Sequence, residues 1–537
     1  MESPQPEDRA PATIPAFLRY AVLGLGVLYF LLYLYVALGR MSYPHELEWM
    51  EGEAVNLVQR VLDGKDLYVE PSIEFVPAIY PPLYFYVSAA VSKVVGAGFL
   101  PLRLVSFVSS IGCLALIFCF VRRETGHPLH GFLSAALFAA AYHPSGAWFD
   151  IGRVDSFFLV LLLGGVYLAR SGSSAPSLCA AAVLVALSFL TKQTALFVAA
   201  ALGVYCILAK SGYRKAIFLC VFVLVAGGAT LLLNRLSDGW YWFYVYELPR
   251  QHTIDYEAMV RFWSKDICRC MAIAFGVAML YPVLRLLQAR RDDVIFFGLF
   301  LCSMLAVSWA TRFHARGYAN VLMPAYAAIA VYFGLGVHLI LSHAAGPRGA
   351  PATPSEGGEP GRANVLGIFV YVLAAIQFAS CYYSPTPEIP TASDVQAGRD
   401  VVKLVKGIEG EVFVPTYSVL PALAGRNTYA HAMSIYDVLR SKPSEKRRKL
   451  ALDLNRALIA EPIFAAVILD HRGWRLIVGD DLPVLKRALN ARYEFKGSVV
   501  EDEKAFWPRV GVKRRPSFLY VLRKPKPGQR RRHKIAP

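Results

Sequence analysis

The chain is poor in the features that mark a soluble, stapled or repeat-built protein. None of its nine cysteines forms a CxxC pair, and most (Cys113, Cys119, Cys179, Cys206, Cys220, Cys302) fall inside apolar runs, so neither a zinc site nor a disulfide framework is indicated. Charged residues are only 18% of the chain against 56% hydrophobic. That is too apolar for a soluble protein, and 537 residues are too many for one core. No internal repeat is visible, which weighs against repeat-built transporters. No small-x-small cleavage site follows the first uncharged run, Tyr20 to Gly39, which is longer than a signal-peptide core and reads as an uncleaved span. Acids are also scarce, 39 against 56 Lys and Arg. In a soluble chain that excess would suggest nucleic acid. Here the basic residues lie in short loops and in the C-terminal tail, so the charge reads as topology with phosphate or lipid contacts, and no nucleic-acid partner is expected.

What is present is a series of apolar runs. Eleven can cross a bilayer as helices: about 20–39, 102–121, 129–147, 155–169, 175–191, 194–209, 216–234, 268–284, 294–311, 319–342 and 364–382. A twelfth stretch, 81–98, opens on two prolines, contains Lys93 and ends in a glycine pair; it reads as an amphipathic helix lying in the interface. That choice puts the loops 122–128, 170–176, 210–215, 285–293 and 343–363, the richer ones in Lys and Arg, on the cytosolic side. It also gathers Asp150, Asp155, Lys192 and the loops near 250 and 314 on the outer side. The fold class expected is therefore an α-helical multi-pass membrane protein of about 11 transmembrane helices, residues 1–382, with in-plane helices in the first outer loop. A Pro/Gly/Ser linker covers 346–361. Beyond it a small α/β domain over 383–522 is expected from β-like runs at Val412–Pro415, Phe464–Leu469 and Phe518–Leu522, alternating with helical patterns at 394–407, 443–459 and 480–492. Residues 523–537 form a basic tail.

The longest polar interval in the first two-thirds of the chain is His45 to Tyr86. It holds Glu46, Glu48, Glu51 and Glu53 within eight residues. A helix over 50–62 puts Glu51, Val55, Val58 and Leu62 on one stripe. Carboxylates at a membrane rim suit proton transfer, and a pair of them permits a divalent cation without demanding one; the plain alternative is a solvated acidic loop. Three further groups carry charge beside spans. Asp150, Arg153 and Asp155 read as a wet-cavity cluster or as a surface pair with a helix cap. Lys192, in TKQT, reads as a phosphate ligand or a turn residue reaching the headgroups. Arg312, His314 and Arg316 can hold a phosphate ester or anionic lipid. The aromatic loop 235–266, with Trp242 and His252, reads as an interfacial belt or a platform for sugar rings.

Taken in order, these pieces resemble the GT-C superfamily of polyprenyl-phosphate-dependent glycosyltransferases, in particular bacterial relatives of protein O-mannosyltransferases and lipid A aminoarabinose transferases. The matching residues are EWMEGE, then Gly64, Leu67 and Tyr68, then IYPPLYFYVSA, Arg103-Leu104, Arg153 to Ser156, TKQT, and Gly317 to Pro324. The family's adjacent acid pair is absent, because Met50 precedes Glu51. The resemblance implies transfer of a sugar from a polyprenyl-phosphate donor to an extracytoplasmic acceptor (glycan, lipid or protein), in the plasma membrane, with the site and the C-terminal domain outside. By the same analogy Glu51 is the general base, with Glu48 the other candidate, and Asp155 with Asp150 forms the second acidic site. Arg153, Lys192, Arg312, His314 and Arg316 would hold the donor phosphate, and Tyr80, Tyr84, Trp242 and His252 would contact substrate. The reading from another class is a transporter or flippase of a lipid-linked sugar.

Overall fold

The structure, a computed structural model, describes residues 16–172, 174–287, 291–314, 317–344, 360–472 and 483–524. The apolar runs form helices where the hydropathy puts them. They are α1 (Ala16–Arg40), α2 (Glu51–Leu62), α3 (Leu83–Val95), α4 (Phe99–Thr125), α5 (Pro128–Ala140), α6 (Asp155–Ser171) and α7 (Ala175–Phe189). After these come α8 (Leu196–Ala209), α9 (Arg214–Leu236), α10 (Tyr256–Leu287), α11 (Arg291–Arg312), α12 (Met323–Ala344) and α13 (Pro360–Ala379). Among the described residues six helices are long and apolar enough to cross a membrane on their own, where eleven spans were expected. The other runs give shorter helices. The run at 129–147 stops being helical at Ala140 and continues in tight turns that include Pro144 and a left-handed Gly146, residues that a helix does not extend through.

Helix α3 lies in the plane. The Leu83 N–H donates to the Leu190 carbonyl just beyond α7 (3.1 Å). A few residues past its far end α4 begins, and there Arg103 donates to the Tyr43 and His45 carbonyls (2.5 and 2.6 Å). Both ends of α3 thus sit at one end of the bundle. The opposite end gathers the basic loops: Arg170 pairs with Glu124 (2.8 Å) and Asp293 (2.7 Å), and Lys210 reaches the Gly172 carbonyl (3.3 Å). The basic loops and the first loop thus lie at opposite ends of the helices.

The C-terminal domain carries a four-stranded sheet in the order β1-β2-β4-β3, with β1 (Glu411–Phe413), β2 (Phe464–Leu469), β3 (Tyr493–Ser498) and β4 (Phe518–Leu522). Strands β1 and β2 run parallel; the other two pairs are antiparallel. The sequence reading missed β3, whose Glu494, Phe495 and Lys496 are exposed, and the helix Ala432–Leu439. The domain sits on the first loop. Glu46 N–H donates to the Tyr417 hydroxyl (3.1 Å), Val510 N–H to the Leu47 carbonyl (3.0 Å), and Ala430 N–H to the Ile73 carbonyl (2.9 Å).

One span is mended by a side chain. In α10 the backbone leaves helical geometry at Met271 (φ −125°, ψ 18°). The break is bridged by the buried Gln377 of α13, whose Nε2 donates to the Cys270 carbonyl (2.6 Å) while its Oε1 accepts from the Ala274 N–H (2.9 Å). The amide takes the place of the missing helical bond, which lipid would otherwise leave unsatisfied. Ala274→Pro, which removes the N–H that Gln377 Oε1 accepts from and drives the ring into that oxygen, is therefore expected to cost at least the ~3 kcal/mol of a proline inside an intact helix. Gln377→Leu, which strands two backbone groups at about 1–3 kcal/mol each, is expected to lower the melting temperature of the detergent-purified protein markedly.

Candidate active site

The site is built around a buried ion pair. Glu51 opens α2, and its carboxylate accepts from Arg103 of α4 at 2.7 and 3.1 Å and from the backbone N–H groups of Leu47 (2.7 Å) and Gly152 (2.6 Å). Both side chains are fully buried. Burial works against the charge, but Arg103 and the two N–H groups outweigh it and hold the Glu51 carboxyl below its ordinary value. With its oxygens filled, Glu51 does not face the cavity described next. The expectation that it is the base is corrected by this geometry: it ties the first loop to α4 and to the 150–155 loop.

Beside this pair, between the ends of the spans and the C-terminal domain, lies a cavity of about 540 Å³. Three carboxylates line it, Glu48 and Glu53 from the first loop and Asp437 from the C-terminal domain. Glu48 has Arg153 at 3.6 Å and accepts from the Met50 N–H at 3.2 Å. Burial pushes its carboxyl up to about 7, against the pull of Arg153. Glu53 accepts from the Ser434 hydroxyl and has His431 at 3.9 Å. Burial pushes it up to about 7 as well, opposed by Ser434 and Arg153. Neither Glu48 nor Glu53 has the bidentate cation that Glu51 has.

The cations stand on the same wall. Arg153 lies over the Tyr80 ring (5.8 Å). Lys192, in the TKQT turn after α7, is held at 2.7 Å by Asp155 Oδ1, which also accepts from Asn320 Nδ2 (3.0 Å). The other Asp155 oxygen accepts from the Trp148 indole (3.0 Å). Asp155 is thereby saturated, and its three partners, which come from three loops, all line the cavity. Among the described residues no group of three or more His, Cys, Asp or Glu is arranged to hold a metal ion.

Residues 80–242 match the family model described as dolichyl-phosphate-mannose-protein mannosyltransferase. No curated protein matches the sequence. The crystal structure of ArnT from Cupriavidus metallidurans bound to undecaprenyl phosphate aligns with a TM-score of 0.53 at 12% identity, covering 93% of this chain and 98% of that one. The chain has a GT-C fold. The Archaeoglobus fulgidus oligosaccharyltransferase tethered with an acceptor peptide shares it, with a TM-score of 0.50 at 12% identity over 89% of this chain and 72% of that one.

Within this GT-C frame the other expected site residues divide. His252, His314 and Tyr80 line the cavity together with Glu48, Arg153 and Lys192. Asp150 does not: Arg40 grips it at 2.7 Å and the Tyr142 hydroxyl at 2.9 Å, deep between α1 and the turns after α5. Arg312 turns away to pair with Asp266 (2.6 Å). The Tyr84 hydroxyl is spent on the Leu102 carbonyl (2.9 Å), and Trp242 is half-exposed against Tyr246 (ring centroids 4.2 Å apart). Arg316 lies outside the described residues. The sequence reading missed the roof that the C-terminal domain supplies, Met433, Ser434, Asp437, Gly511 and Arg514. No local signal marks these residues, which meet the first loop across more than 380 positions of chain. Glu53 stood in the acidic loop, but spacing alone does not single it out.

Opposite behaviours are expected from the acids. Arg103→Leu leaves the Glu51 charge buried and unpaired, a loss of about 3–5 kcal/mol, seen as failed expression or a collapsed melting temperature. Glu48 and Glu53 titrate near 7 when folded against an ordinary 4.5. Between those values the folded chain keeps protons that the unfolded chain releases, so their contribution to stability falls as pH rises through 7. Glu48→Gln and Glu53→Gln are expected to melt higher than the parent at pH 8, with the gain vanishing near pH 5.

Proposed function

We propose that the chain is a membrane glycosyltransferase that moves a sugar from a polyprenyl-phosphate donor to an acceptor on the extracytoplasmic face of the plasma membrane. One observation carries this reading. In a GT-C fold, a cavity at one end of the spans sets two carboxylates free of bidentate cations against Arg153 and Lys192. A lipid-linked donor has its phosphate at headgroup level, so the cations belong at that rim, and an acceptor hydroxyl or amine needs a base that is not already spent.

In the proposed reaction Glu48 takes the acceptor proton as the acceptor atom bonds to the anomeric carbon. The bond from that carbon to the phosphate oxygen breaks, and the polyprenyl phosphate leaves with the electron pair. Arg153 and Lys192 stabilise the charge that grows on the phosphate. Asp155 is a positioning residue, fixing Lys192, Asn320 and Trp148. Glu53, joined to Ser434 and His431, lies on the acceptor side.

The test mixes the purified protein with radiolabelled polyprenyl-phosphate sugars and candidate glycan, lipid or protein acceptors. Release of polyprenyl phosphate with label on the acceptor supports the enzyme; movement of intact donor across proteoliposomes without turnover would replace it with a flippase. Glu48→Gln is expected to cut kcat by about 10²–10⁴ with unchanged expression. A base must be deprotonated to act, so kcat/KM of the parent should fall as pH drops through about 7.

A further inference from the structure

The segment Leu47-Glu48-Trp49 is gripped from outside by the loop joining β3 to β4. Its backbone is caught first: the Val510 N–H donates to the Leu47 carbonyl (3.0 Å). Gly511 follows in a left-handed conformation (φ +71°), so close to the carboxylate side chain that a Cβ there would stand 2.9 Å from Glu48 Cγ and 3.2 Å from Oε1. Next, the Arg514 guanidinium lies 5.2 Å over the Trp49 ring and is itself anchored by Asp470. The root of the loop is fixed too: buried Asp394 accepts from the Phe506 N–H (2.7 Å) and pairs with Arg509.

We propose that Val510–Arg514 of the C-terminal domain are positioning residues for Glu48, so that this domain is a working wall of the transfer site. The inference rests on the reading of Glu48 as the base. Three successive strap contacts meet three successive residues of the first loop, and the missing Cβ at Gly511 leaves the space in which Glu48 sits. The strap also packs directly against Glu48, adding to the burial that raises its carboxyl above the ordinary carboxylate range.

The experiment uses the full-length purified protein and the transfer assay above. Gly511→Ala is compared with Gly425→Ala, which places the same strain in the same domain (φ +73°) with nothing within 4 Å of the new Cβ. Gly511→Ala is expected to lower kcat at least tenfold, to leave the donor KM within about twofold, and to move the midpoint of the pH profile down by about one unit as Glu48 is pushed out of its cover. Gly425→Ala should keep the parent kcat and midpoint. Should Gly511→Ala fail to fold, Arg514→Gln, which leaves the backbone untouched, takes its place with a smaller shift of the same sign. A parent-like kcat and midpoint in the folded strap variant, with Glu48→Gln inactive, overturns the positioning role and leaves the base assignment standing. An active Glu48→Gln overturns the base assignment itself.

Discussion

A carboxylate sealed from water holds this site together. Glu51 and Arg103 are both fully buried, and such a pair is tolerable only when every remaining lone pair and proton finds a partner. Here each does: the Glu51 oxygens collect Leu47 and Gly152 N–H groups, and Arg103 spends its remaining N–H groups on the Tyr43 and His45 carbonyls. The result is a knot joining the end of α1, the start of α2, the start of α4 and the loop before α6. Asp150 with Arg40, and Asp155 with Lys192, Asn320 and Trp148, repeat the device at neighbouring loops.

That spending of acids divides the labour among residues of one type. Glu48, Glu51 and Glu53 lie within six positions of one another and are all buried, and burial raises all three, yet Glu51 ends below its ordinary value because only it has a guanidinium in bidentate contact. A saturated carboxylate is a poor proton acceptor and a good rivet. One that burial has made basic is a poor rivet and a good acceptor. The loop holds both kinds side by side.

The sequence exposes those features of this molecule that depend on local pattern. Span positions follow from hydropathy, the in-plane α3 from Pro81-Pro82 and Lys93, and the grouping of residues near 50, 150, 192 and 314 at one end from the basic loops. Three of the four carboxylates offered as catalytic, Glu51, Asp150 and Asp155, have their oxygens taken by buried partners, and those partners are distant in the chain: Arg103 lies 52 positions from Glu51, and Gly152 lies 101. Spacing along the first loop carries no information about either. The same holds for Glu53, whose partner Ser434 is 381 positions away. Strand β3 escaped notice because its polar residues face solvent, and its place is set by pairing with β4.

The location of the cavity limits how it can be used. It lies where the spans end and the sheet domain begins, so its floor is set by residues at the ends of membrane helices, Lys192 and Arg153, and its roof by Ser434, Gly511 and Arg514. On the proposed reading, a donor anchored in lipid presents its phosphate to that floor without leaving the bilayer, while an acceptor arriving from water meets the roof. Because burial raises Glu48 and Glu53, both hold their protons more readily than exposed acids do, which lowers the charge this space must carry. By the same reading, Arg153 serves both partners of the reaction, since the guanidinium that favours the Glu48 carboxylate at 3.6 Å is also the one that faces the donor phosphate.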